Sequence, residues 1–186
     1  MRLAQVCRVR SHRHDALELP FDNNEFDLCL CQQGLQFFPD QKLALVEMRR
    51  VLAEGGQIFV TIWKEPSPFF TTLATAIENH VNQDLAAKSL APFSYKGHGE
   101  MPKLFNDTGF SDFSSTELTI DRKIRDPKNS IEQEILGNPV GSEILEMGEE
   151  ALRKISEEVF GAMDDYIVGS DLIVPQTTCL YQAAVR

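Results

Sequence analysis

Hydrophobic and polar positions follow two different periods along residues 26–63, and these periods predict a strand, a helix and a second strand. Phe26–Cys31 is a short apolar run typical of a buried strand. A helix is predicted after Pro39-Asp40 and is predicted to end at Gly55-Gly56, since glycine accepts the left-handed backbone of a helix C-cap. Its predicted apolar face contains five residues: Leu43, Val46, Met48, Val51 and Leu52.

The second strand of this unit is predicted at Gln57–Trp63, which is rich in β-branched and aromatic residues. A strand, a helix and a strand in this order predict a right-handed βαβ unit with parallel strands. Downstream, the pattern predicts further helices and then strands. The helices are Phe69–Val81, Asn82–Leu90, Met101–Asp107, Ser130–Leu136 and Ser142–Met163, and the strands are Phe113–Lys123 and Thr177–Val185.

The motifs around this βαβ unit resemble those of the class I S-adenosylmethionine (SAM)-dependent methyltransferases. They are most similar to the small-molecule subgroup that includes the ubiquinone and menaquinone C-methyltransferases. The resemblance is carried, in order, by Asp15-Ala16, Leu19-Pro20-Phe21, Phe26-Asp27, Glu47-Met48-Arg49-Arg50-Val51-Leu52 and Gly55-Gly56. This ordered series is more specific than a lone glycine motif.

The resemblance implies an α/β fold: the C-terminal half of a Rossmann-like methyltransferase sheet, mixed parallel with an antiparallel last strand, plus a helical lid. We expect a single truncated domain over residues 1–186, with lid helices at about 67–96 and 128–165. No glycine precedes Gly34, so the glycine-rich loop and the acidic ribose-binding residue of the family are expected to be missing. The chain is thus predicted to be the C-terminal part of a methyltransferase.

The resemblance also implies which residues would hold SAM. Asp15 would accept a hydrogen bond from the adenine amino group, and the backbone amide of Ala16 would meet an adenine ring nitrogen. Gln32 would approach the methionine moiety through its backbone, while Gln33 and Gln36 would flank the methyl group or line the substrate mouth. An alternative stays open for each: Asp15 caps a turn, and the glutamines are surface loop residues.

Methyl transfer from an activated sulfonium depends mainly on alignment and exclusion of water. A weak nucleophile would also need a general base, for which the chain offers His80, His98, Tyr95 and Tyr166. None of the four lies in a motif, so no catalytic residue is assigned.

The amino-acid composition argues against several classes of binding partner. The formal net charge is -10, and an acidic chain without a basic stripe argues against nucleic acid and anionic membrane surfaces. No apolar run approaches the ~20 residues of a membrane span. The four cysteines have irregular spacing, which predicts reduced thiols and a cytoplasmic protein.

Two sequence features suggest metal sites at first, but the residues at 12–15 fit a solvated basic edge better and the cysteines fit packing better. His12, His14 and Asp15 match no ligand spacing. Cys29 and Cys31 would share one face of a strand, and they are predicted to be small buried packing residues, as is Cys179; Cys7 is predicted to be more exposed. No metal is expected.

If the N-terminal part of the family domain is missing, the first strand, Phe26–Cys31, lacks one of the two strands that flank it in the family sheet. Its backbone N–H and C=O groups on that side would then be unpaired. We expect that edge to recruit a partner, to form a homo-oligomer with a second copy, or to pair with Val9–Arg13. Two functions remain open: a SAM-dependent methyltransferase for a small-molecule acceptor, and a non-catalytic methyltransferase remnant that acts as an interaction module.

Overall fold

A computed structural model describes residues 11–186, and its centre is the predicted βαβ unit. Strand β1 (Phe26–Gln32), helix α1 (Gln41–Val51) and strand β2 (Leu52–Trp63) follow one another along the chain. The two strands are neighbours and parallel, with Leu28 opposite Gln57 and Gln32 opposite Thr61. The prediction of parallel neighbouring strands is confirmed.

The remaining elements form a group of helices and an antiparallel extension of the sheet. The sheet order is β1-β2-β5-β3, and the short β4 pairs with β5. Strand β5 is antiparallel to β2 and β3, so the predicted antiparallel last strand is confirmed. The elements are α2 (Pro68–His80), α3 (Gln83–Ser89), α4 (Met101–Asp107), β3 (Ser111–Arg125), α5 (Pro127–Leu136), α6 (Gly141–Glu146), α7 (Glu149–Gly161), β4 (Ile167–Val168) and β5 (Asp171–Ala184).

Helix α1 begins where the sequence predicted, but its buried face differs. The Asp40 side chain accepts a hydrogen bond from the Leu43 backbone N–H at 2.9 Å, which caps the helix. Leu43 and Val46 are exposed, at 43% and 41%, so the predicted apolar face was wrong at these positions. The buried side chains are Ala44, Leu45, Met48 and Val51.

The end of α1 also differs from the prediction. The helix stops at Val51, and Gly55-Gly56 lies inside the first part of β2 rather than at the helix C-cap. Gly55 has φ +78°, and its N–H donates to the Val185 carbonyl oxygen at 2.9 Å. The register between β1 and β2 shifts at this point. Phe26 pairs with Leu52, but Leu28, only two residues later, pairs with Gln57. The two glycines therefore belong to a β-bulge, where a left-handed residue is common.

Apolar side chains form two clusters. One lies between α1, α4 and one face of the sheet and includes Leu45, Ile58 and Phe105. The other joins helices α2, α3, α5, α6 and α7 to the far ends of β3 and β5. These five helices thus pack mainly on one another and on a long β-hairpin.

Among the described cysteines, Cys31 and Cys179 are buried as predicted, whereas Cys29 is only partly buried. Cys29 and Cys31 share the sheet face of their register partners Ile58 and Val60. Burial raises the pKa of Cys29 to about 11, with a further contribution from Cys31. Cys179 is buried, whereas the prediction for Cys7 falls outside the described residues.

The predicted long helix at 142–163 is wrong, because it is two helices. Gly148 separates α6 from α7 with φ +100° and ψ 158°, a conformation open to glycine alone. Leu145, in α6, is 50% exposed. Across residues 11–186, no helix is both long and apolar enough to cross a bilayer.

Alanine substitutions at two glycines test this break. Gly148→Ala should lower the free energy of unfolding by about 1–3 kcal/mol, because alanine is strained at that backbone conformation. Gly161→Ala, in the last turn of α7, should raise it by about 0.5 kcal/mol, since a Cβ at this glycine would meet no atom within 4 Å. Urea unfolding followed by circular dichroism measures both. Equal effects at the two sites would contradict a break at Gly148.

Candidate functional site

Gln33 occupies the junction between the carboxyl ends of β1 and β2. Its backbone is left-handed, with φ 52°, and its N–H donates to the Thr61 carbonyl oxygen at 2.9 Å. Its side-chain Nε2 donates to Thr178 Oγ1 at 2.9 Å. A non-glycine residue in this conformation costs free energy, and such residues are enriched at functional sites, although Asn24, Asp112 and Asp126 also have positive φ in this chain.

The other side of the Gln33 amide is buried without a partner. Thr178 Oγ1 donates to the Ile62 carbonyl oxygen at 2.9 Å, so it must accept from Gln33 and the amide orientation is fixed. Gln33 Oε1 has no hydrogen-bond partner among the described residues. A buried acceptor of this kind fits a donor group on a ligand, such as the ammonium of a bound amino-acid moiety.

The neighbouring glutamines have different surroundings. Gln32 is the last residue of β1 and is exposed. Gln36 Nε2 donates to the Pro92 carbonyl oxygen at 2.6 Å, and its Oε1 accepts from the Trp63 backbone N–H at 3.3 Å. Gln36 therefore ties the loop after β1 to the end of β2 and to the segment that follows α3, while the role predicted for Gln32 stays a prediction.

Asp15 and Ala16 lie in a turn. The Asp15 side chain accepts from the Leu17 N–H at 2.9 Å, and its carbonyl oxygen accepts from the Glu18 N–H at 3.2 Å. This is the turn-capping role that was one of the two interpretations. It leaves adenine binding by Asp15 and Ala16 as a prediction. Within residues 11–186, no cluster of potential metal ligands occurs, at His12 and His14 or elsewhere.

The Glu47–Arg50 pair explains the motif that carried much of the resemblance. Arg50 donates to Glu47 at 2.8 and 2.9 Å and to the carbonyl oxygens of Leu19 and Phe21 at 2.9 and 2.8 Å. Glu47 Oε2 accepts from the Leu19 N–H at 2.9 Å. The hydrogen bonds from Arg50 hold the pKa of Glu47 below its usual range. Sequence reasoning recognised this motif but missed its role, which is to fasten the loop at residues 19–23 to α1.

An aromatic cavity lies between the carboxyl end of β2 and helices α2 and α5. We use this name for the space of about 220 Å³ lined by Trp63, Phe70, Pro92, Phe93, Arg122, Glu134, Gly137, Asn138 and Pro139. Its wall includes the two residues that Gln36 holds, Pro92 and Trp63. Sequence reasoning missed this cavity, although the helix that carries Phe70 was identified as part of a lid.

The four candidate bases lie elsewhere. His80 contacts Glu158 at 2.7 Å on the lid surface, and the Tyr95 hydroxyl donates to Gln41 Oε1 at 3.0 Å. His98 Nδ1 lies 2.6 Å from the Tyr181 hydroxyl, and burial lowers the pKa of His98 and raises that of Tyr181. Neither these residues nor Tyr166 line the aromatic cavity, and no catalytic residue is assigned.

Comparisons with known proteins agree with the resemblance. Residues 2–60 match the Methyltransferase domain family. Demethylmenaquinone methyltransferase from Staphylococcus aureus (strain JH9) is 32% identical over 119 residues, which cover 58% of this chain and 49% of that protein. The same values hold for the protein of strain Newman. The chain thus spans about half the length of the curated relatives it matches.

A solved structure shows the same fold. The YcgJ protein from Bacillus subtilis superposes with a TM-score of 0.52 at 17% identity, over 94% of this chain and 70% of that chain. This likeness concerns the fold alone. It agrees with the α/β architecture that the sequence predicted.

Glu47→Gln tests the loop anchor through its pH dependence. A depressed carboxyl pKa adds stability above the ordinary value of 4.5, and that stability is lost as the pH falls through the folded-state pKa. The variant should therefore unfold at lower urea than the wild type at pH 7, and the gap should shrink as the pH falls from about 5 to 3. Urea midpoints across this pH range measure it.

The exposed Glu54 provides a matched control for Glu47. Glu54→Gln should leave the urea midpoint nearly unchanged at neutral pH. Limited proteolysis should cut the loop at residues 19–23 faster in Glu47→Gln than in Glu54→Gln. A gap between wild type and Glu47→Gln that is the same at every pH would show that the carboxylate does not anchor the loop.

Proposed function

Because the chain is related to the class I SAM-dependent methyltransferases, we propose that it supplies part of the site of a SAM-dependent methyltransferase for a small molecule. SAM is the methyl donor of that family. The observation that carries the proposal is the junction at the carboxyl ends of β1 and β2. There, Gln33 presents a buried amide oxygen that has no hydrogen-bond partner within residues 11–186, and an aromatic cavity opens beside Trp63.

The position of this junction supports the proposal. In open α/β sheets, ligands bind beyond the carboxyl ends of the parallel strands. Gln33 follows β1 directly, and Trp63 is the last residue of β2. Thr178, which accepts a hydrogen bond from Gln33, is the register partner of Trp63. Gln36 then links the loop after β1 to the cavity wall. A donor held by Gln33 would thus meet an acceptor in the aromatic cavity.

The role proposed for Gln33 follows from its position, and those proposed for Asp15 and Gln32 follow from the family resemblance. SAM supplies an activated methyl group when bound. Gln33 Oε1 would accept a hydrogen bond from the amino-acid end of the donor, Asp15 would accept from the adenine amino group, and Gln32 would bind through its backbone. The apolar walls of the cavity would orient the acceptor and exclude water. The Staphylococcus aureus relatives act on demethylmenaquinone, which suggests a ring-containing acceptor here too.

Calorimetric titration with SAM tests the proposal. The wild-type chain should bind SAM with a micromolar dissociation constant. Gln33→Met removes the amide oxygen at similar size, and it should weaken binding by about tenfold, as expected for one hydrogen bond to a charged group. Gln57→Met, at an exposed position of β2, should bind as the wild type does. A folded wild-type chain that gives no heat at millimolar SAM would overturn the proposal.

A second function, self-association as an interaction module, is favoured by the exposed leucines of β1 and by its edge opposite β2. Among the described residues, β1 pairs with β2 alone. Leu28 and Leu30 are 50% and 68% exposed and share the sheet face of Phe59. Apolar side chains beside an unpaired edge favour pairing with another strand. We propose that a second copy of β1 is that strand.

The segment Val9–Arg13, predicted to pair there, falls partly outside the described residues, and residues 11–13 form no strand.

Light scattering after size-exclusion chromatography tests self-association. The wild-type chain should elute as a dimer at a protein concentration of about 100 µM, which is high enough to populate a weak dimer. Leu30→Lys places a charge on the edge strand and should give a monomer. Val168→Lys, at a 60% exposed position of β4, should remain dimeric. A monomeric wild-type chain at this concentration would rule out the interface.

A further inference from the structure

Strand β3 forms the edge of the sheet opposite β1. Within residues 11–186, the sheet order is β1-β2-β5-β3, and β3 pairs with β5 alone. β3 is 15 residues long, Ser111–Arg125, whereas strands in globular proteins usually have about 3–10 residues. Every second residue of an edge strand directs its backbone N–H and C=O groups away from the sheet. β3 therefore presents a long row of backbone groups that a further strand can bind.

The middle of β3 is open on both faces as well as at its edge. All of residues 114–121 are exposed. Because successive side chains of a strand point to opposite faces, the described residues cover neither face of this part of β3. Two of the exposed side chains are large and apolar, Leu118 at 39% and Ile120 at 52% exposure. A strand added at this edge would bury both further.

The register with β5 separates the side chains of β3 by their chemistry. Leu118 and Ile120 lie on one face of the sheet, whereas Glu117, Thr119 and Asp121 lie on the other. Cross-strand neighbours that are apolar or of opposite charge stabilise a sheet, and like charges opposite each other destabilise it. An added strand is therefore favoured if its side chains are apolar on the first face and basic on the second.

Both acidic side chains are accessible to a basic partner. Glu117 forms a salt bridge with Lys64 through Oε1 at 2.5 Å, but its side chain remains 59% exposed. A carboxylate accepts hydrogen bonds at both of its oxygens, so Glu117 can bind a second cation. Asp121 is exposed. In a chain of formal net charge -10, these carboxylates disfavour an acidic strand and attract a basic one.

The basic residues that follow this stretch do not offset the two carboxylates. Arg122 forms a salt bridge with Glu134, and Lys123 forms one with Asp171. Their charges are therefore compensated within the chain. A basic strand that ends beside Asp121 would meet little uncompensated positive charge at that point.

A polar cavity lies beside the acidic face of β3. We use this name for the space of about 400 Å³ lined by His98, Gly99, Ser115, Thr116, Glu117, Cys179 and Tyr181. Burial lowers the pKa of His98 and raises those of Cys179 and Tyr181, so all three are neutral at pH 7. Glu117 is therefore the charged residue among those that line the cavity. Its carboxylate and the neighbouring hydroxyls can accept hydrogen bonds from an ammonium or guanidinium group.

We propose that the β3 edge binds an extended segment of a partner protein in which basic residues alternate with apolar ones. The segment pairs with residues 114–121 as an additional strand, a recognised mode of peptide binding. Its apolar side chains lie beside Leu118 and Ile120, and its basic side chains lie beside Asp121 and enter the polar cavity at Glu117. This site is separate from the junction of the proposed methyltransferase, and its occupation requires neither SAM nor a methyl acceptor.

Nuclear magnetic resonance of the ¹⁵N-labelled full chain tests the proposal with the peptide TKVKVKVT, blocked at both ends. The peptide should shift the backbone amide signals of residues 114–121 saturably. The acidic peptide TEVEVEVT and the non-alternating peptide TKKKVVVT should each bind at least about tenfold more weakly. No shift at millimolar TKVKVKVT, or shifts confined to β1, would overturn the site.

Hydrogen exchange of the same amides tests whether the peptide adds as a strand. Backbone N–H groups of residues 114–121 that point away from β5 should exchange more slowly at saturating peptide, because they become hydrogen-bonded. Shifted signals with unchanged exchange rates would show that the peptide binds through its charges alone, which contradicts strand addition.

Two glutamates provide matched variants. Glu117→Gln removes the charge at the polar cavity, and it should weaken binding of TKVKVKVT by about tenfold, as expected for a hydrogen bond to a charged group, without weakening that of TEVEVEVT. Glu132→Gln, at an exposed position of α5, should bind TKVKVKVT as the wild type does. Dispersed amide signals verify that each variant folds. Equal losses in the two variants would show that affinity follows the net charge and would overturn the assignment of Glu117.

A second copy of this chain is the other strand that could occupy β3, and the Leu30→Lys variant distinguishes it. That variant should be monomeric in light scattering and should bind TKVKVKVT as the wild type does. A dimer that persists in Leu30→Lys and dissociates when the peptide is added would show that a second copy covers β3, and it would overturn the proposal. Since no methyl donor is present, this result is independent of whether the chain binds SAM.

Discussion

The parallel pairing of β1 with β2 is the constraint on which the rest of the structure depends. It brings the carboxyl ends of both strands to one edge of the sheet, so that Gln33 and Trp63 lie in neighbouring segments. It also sets which face α1 covers, since Cys29 and Cys31 share the face of Ile58 and Val60. A slip of one residue would place Leu28 and Leu30 under α1 and expose the cysteines. The register therefore fixes both the core and the candidate site.

The sequence predicted the elements of this unit well because they depend on short-range patterns. Alternation and capping act within a few residues, and the strands and the start of α1 followed from them, whereas the helix end predicted at Gly55-Gly56 was wrong. The buried face of α1 was harder to predict, because Leu43 and Val46 have the right spacing but no neighbouring element covers them. The break at Gly148 was missed because apolar residues on both sides keep a helical spacing across it.

The candidate site was less predictable because distant segments build it. Gln33 is fixed by Thr178, 145 positions away, and a threonine in a strand carries no sequence signal for that contact. The aromatic cavity takes residues from the ends of β2 and α5, from α2, from β3 and from the turn at Phe93. The Glu47–Arg50 motif was visible as a resemblance, yet only the structure shows that its hydrogen bonds go to the backbone of a loop.

Unsatisfied polar atoms favour a ligand-binding role for the carboxyl end of β2 over a role in packing alone. Of the buried side-chain oxygens in residues 11–186, those of Gln33, Gln176 and Ser67 have no hydrogen-bond partner. Gln176 Nε2 donates to the Glu65 carbonyl oxygen at 3.2 Å, which places it beside the loop after β2. Each such oxygen costs about 1–3 kcal/mol. Apolar residues at these positions would avoid that cost, so their grouping at one end of the sheet is the pattern expected of a site whose polar groups serve a ligand.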